Sequence, residues 1–74
     1  MNLHENIRRL RKAAGLTATA AAEHAGMHQT TWSHIENGTN PNPTPKTLEK
    51  IASALGVTLV ELFTDEDGES VTLE

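Results

Sequence analysis

Glycine or proline punctuates this chain at positions 15, 26, 38, 41, 43, 45, 56 and 68, and the longest stretch free of both is residues 1–14. Both residues end regular structure, glycine because it enters the left-handed region at little cost and proline because it lacks a backbone N–H. Only short elements are therefore possible, and the residues between the breaks decide their kind. Apolar side chains recur at intervals of three and four, as in Leu3, Ile7, Leu10 and Ala14, or Leu48, Ile51, Ala52 and Leu55. That is the period of a helix rather than a strand.

The ends of these helices are written in local chemistry. Asn2 with Glu5 has the spacing of a capping box, and Gly15 closes a first helix over about residues 3–14. Thr17 is a good N-cap for a second helix, rich in alanine, that reaches about His24 and is stopped by Gly26. His28 opens a third helix, which Asn37-Gly38 ends. Thr39-Asn40-Pro41-Asn42-Pro43 is a loop, because each residue before a proline is pushed to extended geometry. Thr44-Pro45 starts a fourth helix that Gly56 stops, and Thr58 with Glu61 is a second capping box opening a short fifth helix through Leu62-Phe63. The expected fold is all-α: five helices in one domain over residues 1–64, then an acidic tail, residues 65–74, expected to be disordered. Ser70–Leu73 alternates weakly like a strand, yet an isolated strand does not stand alone.

A chain of 74 residues fits one small domain. Nine of its 27 apolar residues are alanine, so packing rests on fewer than twenty larger side chains, and without cysteine no disulfide or thiolate zinc site reinforces them. No apolar run approaches the roughly 18 residues of a membrane span, and charges interrupt the N-terminal apolar residues where a signal peptide would be continuous. A soluble cytoplasmic module without membrane partners is expected. The net charge of −4 is unevenly placed: residues 1–63 hold all six basic residues against five acids, a balance of +1, while Asp65, Glu66, Asp67, Glu69 and Glu74 make the end −5. His24 and His28 are four apart, but Gly26 breaks the helix between them, so no metal site is expected. With no glycine-rich phosphate loop, no nucleophile elbow and no room for a substrate cleft, neither an enzyme nor a bound cofactor is expected.

Residues 17–38 read as helix, a turn around Gly26, then helix, the arrangement in which the second helix enters a DNA major groove. At 100° per residue, Trp32 and Ile35 mark the apolar side of that second helix. Thr30, Ser33, His34 and Asn37 lie opposite, with Gln29 on the flank of the first turn. No charge stands on this outer face. Such side chains suit a plain polar surface as well as base and phosphate contacts, in which Gln pairs with adenine and Thr, Ser, His or Asn reach bases or phosphate. Periodicity leaves both readings open.

Six ordered blocks go further. Arg8-Arg9-Leu10-Arg11, Ala14-Gly15-Leu16-Thr17, Ala22-Glu23-His24-Ala25-Gly26-Met27, Ile35-Glu36-Asn37-Gly38, Leu48-Glu49-Lys50-Ile51-Ala52 and the run from Ala54 to Phe63 resemble the lambda-repressor-like (Cro/cI, XRE-type) helix-turn-helix family across about residues 3–63. The resemblance implies a five-helix domain that acts as a sequence-specific transcriptional regulator, a repressor or autoregulator, dimeric on palindromic double-stranded operator DNA. It places Gln29, Thr30 and Ser33 at base-reading positions with His34 beside them, and pairs Arg11 with Glu36 to lock helix 1 to the end of helix 3. Phosphates would be held by Thr17, Thr39, Asn40 and Lys46 with the N-termini of helices 2 and 4. Where the family commonly has Gln, Ala18 stands, which leaves that phosphate to backbone amides and Thr17. Trp32 stands where Ile or Val is usual, opposite alanines at 20 to 22 that replace larger aliphatics, and His34 stands where Arg or Lys is common.

Val60, usually polar in the family, and Leu59 beside it are the expected dimer contacts. At this length no sensor or toxin domain is expected within the chain, so a signal would arrive through protein concentration or a partner such as a toxin. The rival reading is a protein-interaction module of the same fold with little DNA affinity. The tail is inert, a screen that repels DNA, or a paired strand. If it screens, removing residues 65–74 will tighten binding to random duplex at low salt and leave the thermal midpoint unchanged, the gain fading once the Debye length falls below about 8 Å. Unfolding or loss of a dimer on truncation would instead make the tail structural, and no change in either assay would make it inert.

Overall fold

The computed structural model describes residues 3–39 and 43–64. Five helices follow one another: α1 (Leu3–Ala13), α2 (Ala18–Ala25), α3 (Gln29–Glu36), α4 (Pro45–Leu55) and α5 (Leu59–Leu62). Helix α1 stops one residue short of the expected end, and Ala14, assigned to the apolar stripe from its spacing, is exposed beyond it. Asn2 with its half of the first capping box, the loop residue Asn40, the tail and Ser70–Leu73 all lie outside the described residues.

Three threonines start helices as their positions require. Thr17 Oγ1 accepts from the Ala20 amide at 3.1 Å and Thr44 Oγ1 from the Thr47 amide at 3.2 Å. Thr58 makes both halves of a capping box, accepting from the Glu61 amide while its own amide donates to the Glu61 carboxylate, each at 3.2 Å. Satisfied donors of this kind each stabilise a helix start by about 1 kcal/mol. The stop that matters most for topology is Gly26, at φ 70°: its amide reaches Glu23 O and the next amide reaches Ala22 O, both at 3.0 Å. This left-handed close reverses the chain so abruptly that α3 begins after only three residues, Gly26 to His28.

Helix α2 packs against both α3 and α4, and small side chains make this possible. Ala21, Ala22 and Ala25 are buried on α2, and Ala52 is buried on α4. The volume they leave is filled by Trp32, Ile7, Ile51 and Leu62, all fully buried, with Ile35 and Leu55 beside them. Burying a large apolar side chain contributes about 1.5–3 kcal/mol, so these few residues carry most of the apolar stabilisation. Of the α4 stripe, Ile51, Ala52 and Leu55 are buried and Leu48 is half-buried.

Helix α1 lies across α3, α4 and α5 and also binds them through polar groups. Asn6, buried beside Ile7, donates from Nδ2 to Leu62 O at 3.1 Å, and Arg9 donates to Thr64 O at 2.9 Å. A four-residue helix cannot persist alone. Helix α5 is held by Leu62 in the core, by the Asn6 bond to its last carbonyl and by the Arg9 bond to Thr64 O two residues beyond it.

Candidate nucleic-acid interface

Helix α3 divides into two chemically opposite sides. Trp32, Ile35 and Glu36 face inward and are buried. Gln29, Thr30, Thr31 and His34 are exposed, and Ser33 is half-buried. Asn37 is exposed at the helix end, but its Oδ1 accepts from Arg8 at 3.1 Å, which ties part of its polar capacity to α1. Glu36 is the only acid of α3, so turning it inward leaves the outward surface of this helix free of negative charge.

Four donors make burial of that carboxylate tolerable. Arg11 approaches it with Nε 2.7 Å from Oε2 and Nη2 3.2 Å from Oε1, a two-pronged contact. The Trp32 indole N–H donates to Oε2 as well, and Arg8 Nε stands 3.4 Å from Oε1 at the more exposed edge. Arg11 also donates from Nη1 to Leu16 O at 2.7 Å, fixing the turn between α1 and α2. Burial works to raise the Glu36 carboxyl, but the hydrogen bonds from Arg11 and Trp32, the Arg11 charge and Arg8 together hold it below its ordinary value. The Arg11–Glu36 pairing follows from the resemblance; Trp32 and Arg8 as further partners do not. The Trp32 contact had a local signal, since positions four apart on a helix share a face and a buried indole N–H needs an acceptor. Arg8, Arg9 and Asn6 had none, because their partners lie far away in the chain.

Of the residues expected at phosphates, Thr17, Thr39 and Lys46 stand at or near helix ends. Thr17 is exposed, and its N-cap bond engages one amide of the α2 N-terminus, leaving those of Ala18 and Thr19 without intrahelical partners. The start of α4 is poorer in donors: Pro45 has no amide and Thr47 N–H is taken by Thr44, so Lys46 supplies both the remaining early amide and an exposed ammonium. Thr39 is exposed with its hydroxyl 2.9 Å from His34 Nδ1. Asn40 lies outside the described residues. A shallow groove of about 290 Å³ opens between α2 and α4, lined by His24, Lys46, Glu49 and Lys50 among others. Leu59 and Val60 are 40% and 70% exposed on α5, the two large apolar side chains most open to solvent among the described residues.

Two helices joined by a three-residue turn, the second showing an uncharged polar face, define a helix-turn-helix unit inside a five-helix domain. The family model described as Helix-turn-helix domain matches residues 5–63. The chain belongs to that family, in its lambda-repressor-like, XRE-type form. It is 44% identical over 62 residues to the uncharacterized HTH-type transcriptional regulator y4dJ of Sinorhizobium fredii, covering 84% of this chain and 79% of that one. Among solved structures it is similar to the restriction-modification controller protein C.AhdI of Aeromonas hydrophila, with a TM-score of 0.79 and 30% identity over 82% of this chain and 91% of the other. It is also similar to SinR, the master regulator for biofilm formation of Bacillus subtilis, solved in complex with DNA, with a TM-score of 0.77 and 32% identity over 81% of this chain and 95% of that one.

Because the folded Glu36 carboxyl sits below its ordinary value of 4.5, its stabilising contribution is complete above the ordinary carboxylate range and is lost as pH falls through that range toward the folded value. Glu36→Gln is expected to lower the urea midpoint at neutral pH and to narrow the difference between neutral and acidic midpoints. Equal acid sensitivity in both proteins would show that another group governs the acid limb.

Proposed function

We propose that this protein is a sequence-specific DNA-binding transcriptional regulator, a repressor or autoregulator, that reads the major groove with α3. The observation that carries the reading is the inward burial and neutralisation of the only acid on α3, which leaves an outer surface of uncharged donors and acceptors. Gln29, in the first turn, penetrates farthest; Thr30 and His34 flank it, and half-buried Ser33 contributes a shorter reach. Gln offers a paired donor and acceptor to adenine, and Thr and Ser contact either base type. Phosphates are held around them by Thr17 with the free amides at the start of α2, by Thr39 and Asn40, and by Lys46 with the start of α4. DNA binding by the similar SinR supports this reading, and such a regulator works in the cytoplasm, on the nucleoid.

The protein acts as a homodimer on palindromic operators, its two α3 helices about 34 Å apart in successive major grooves. Exposure of Leu59 and Val60 side by side supports α5 as the contact, since a small core gains from covering them. A further protein partner, such as a toxin, would bring a signal to the dimer. Domain organisation follows the same logic: residues 1–64 bind DNA, and residues 65–74 form an acidic tail.

Selection of preferred sites from random duplexes is the direct test, and it returns half-site spacing as well. Retention without steep salt dependence would favour a protein-interaction module instead, because phosphate neutralisation makes DNA binding fall sharply with salt. Gln29→Ala should weaken specific binding by about 1–3 kcal/mol and relax preference at one base pair per half-site. Equal losses on specific and random duplex would reduce Gln29 to a phosphate contact. Val60→Glu should shift a sedimenting dimer toward monomer; wild type already monomeric at tens of micromolar would rule out this interface in the free protein.

A further inference from the structure

The end of α3 brings together two residues that the family pattern assigns to separate tasks. Gly38, at φ 77°, directs its amide to Ile35 O at 3.2 Å, and Thr39 directs its amide to His34 O at 3.0 Å. These are the paired bonds of a left-handed helix close, which places the residue two beyond the cap against the residue three before it. That contact is commonly apolar. Here it is His34 against Thr39, and it is polar: the Thr39 hydroxyl lies 2.9 Å from His34 Nδ1 and donates to His34 O at 3.1 Å. Any larger residue at Gly38 would also crowd α1, because a methyl group there would come within 3.2 Å of the His4 ring.

A hydroxyl has one proton. If Thr39 gives it to the His34 carbonyl, its oxygen can only accept from the ring, so Nδ1 of His34 carries the proton. The neutral imidazole then has a bare Nε2, an acceptor, and that atom is the ring's only free polar group on the exposed side of α3. In the major groove an acceptor is matched by the exocyclic amine of cytosine or adenine, and opposed by guanine O6 or thymine O4. We propose that Thr39 is a positioning residue that fixes the His34 tautomer, and that His34 thereby selects an amine-bearing base, cytosine or adenine, over a carbonyl-bearing one on the strand it faces. This deepens the DNA-binding reading and rests on it. Thr39 so assigned serves specificity in place of the phosphate contact that the family pattern gives it, because its hydroxyl proton and its amide are both directed to His34 O.

Two measurements in mildly alkaline buffer test the assignment. Nitrogen-15 NMR of the free protein reads the ring directly: the Nδ1–H tautomer is expected in wild type and in Thr39→Ser, and lost in Thr39→Val, which keeps the backbone bonds but not the hydroxyl. A wild-type ring protonated at Nε2 overturns the proposal without any reference to DNA. Site selection with the same proteins and His34→Ala reads the consequence. The base position that loses its preference in His34→Ala should favour cytosine or adenine in wild type, and Thr39→Val should reduce that preference about threefold to tenfold, the value of one hydrogen bond. Thr39→Ser should restore it, and preference at the Gln29 position should not move. A guanine or thymine preference at the His34 position, or an unchanged one in Thr39→Val, overturns the proposal. The expected tautomer in a wild-type protein that selects no site at all overturns the DNA reading and the base assignment together, while the ring geometry stands.

Discussion

A carboxylate taken out of water has to be repaid in hydrogen bonds, and in this small protein the Glu36 carboxylate organises most of what surrounds it. Arg11 meets it with two nitrogens, Trp32 donates from the next turn of its own helix, and Arg8 closes the exposed edge. Arg11 then spends its remaining nitrogen on Leu16 O. One guanidinium therefore sets the position of α1, of the turn leading into α2, and of the end of α3. Removing either partner of such a buried pair typically costs about 3–5 kcal/mol, because the other charge is stranded. That is a large share of the stability open to a domain of this size.

The same arrangement shapes the surface that matters for function. Charges on a short amphipathic helix ordinarily stand outward; α3 reverses this, sending its only acid inward and presenting Gln29, Thr30 and His34 to solvent. The body of the protein carries few cations for a DNA binder, and all three of its arginines are engaged in holding α1 to the rest of the domain. In the function proposed above, phosphate affinity would depend on helix N-termini, threonine hydroxyls and Lys46 rather than on a basic patch. On that proposal the neutral groups of α3 would supply sequence discrimination, and the phosphate contacts would fix register and orientation.

Rigidity comes from alanines and helix closes working together. Ala21, Ala22 and Ala25 let α2 lie close to both neighbours, and the bulk of Trp32 occupies the volume they give up. Gly26 keeps the connection to α3 at three residues. With so little slack, the orientation of α3 is decided by packing, and the side chains it exposes are placed relative to the rest of the domain before any partner arrives. The close at Gly38 does the same on a smaller scale, delivering the Thr39 hydroxyl to the His34 ring.

Periods, caps and stops determined the elements without help from the fold. The three threonine caps, the proline at the start of α4 and the glycine closes are local chemistry, in which each group finds its partner within a few residues, so the helices and the two-sided character of α3 were legible in the linear order. Ala14 shows the limit even there: spacing placed it on the apolar stripe, but the helix ends at Ala13 and leaves it in solvent. Whether the inner positions of α3 were covered, and by what, was decided only when α1 and α2 packed against them. Asn6 reaches Leu62 O, Arg9 reaches Thr64 O, and Arg8 reaches Asn37 and Glu36, across separations of 28 to 56 residues in the chain. No rule of spacing predicts such partners, because a buried polar group accepts whichever donor the packing of apolar faces happens to bring within three ångströms, and that distance exists only once the helices have come together.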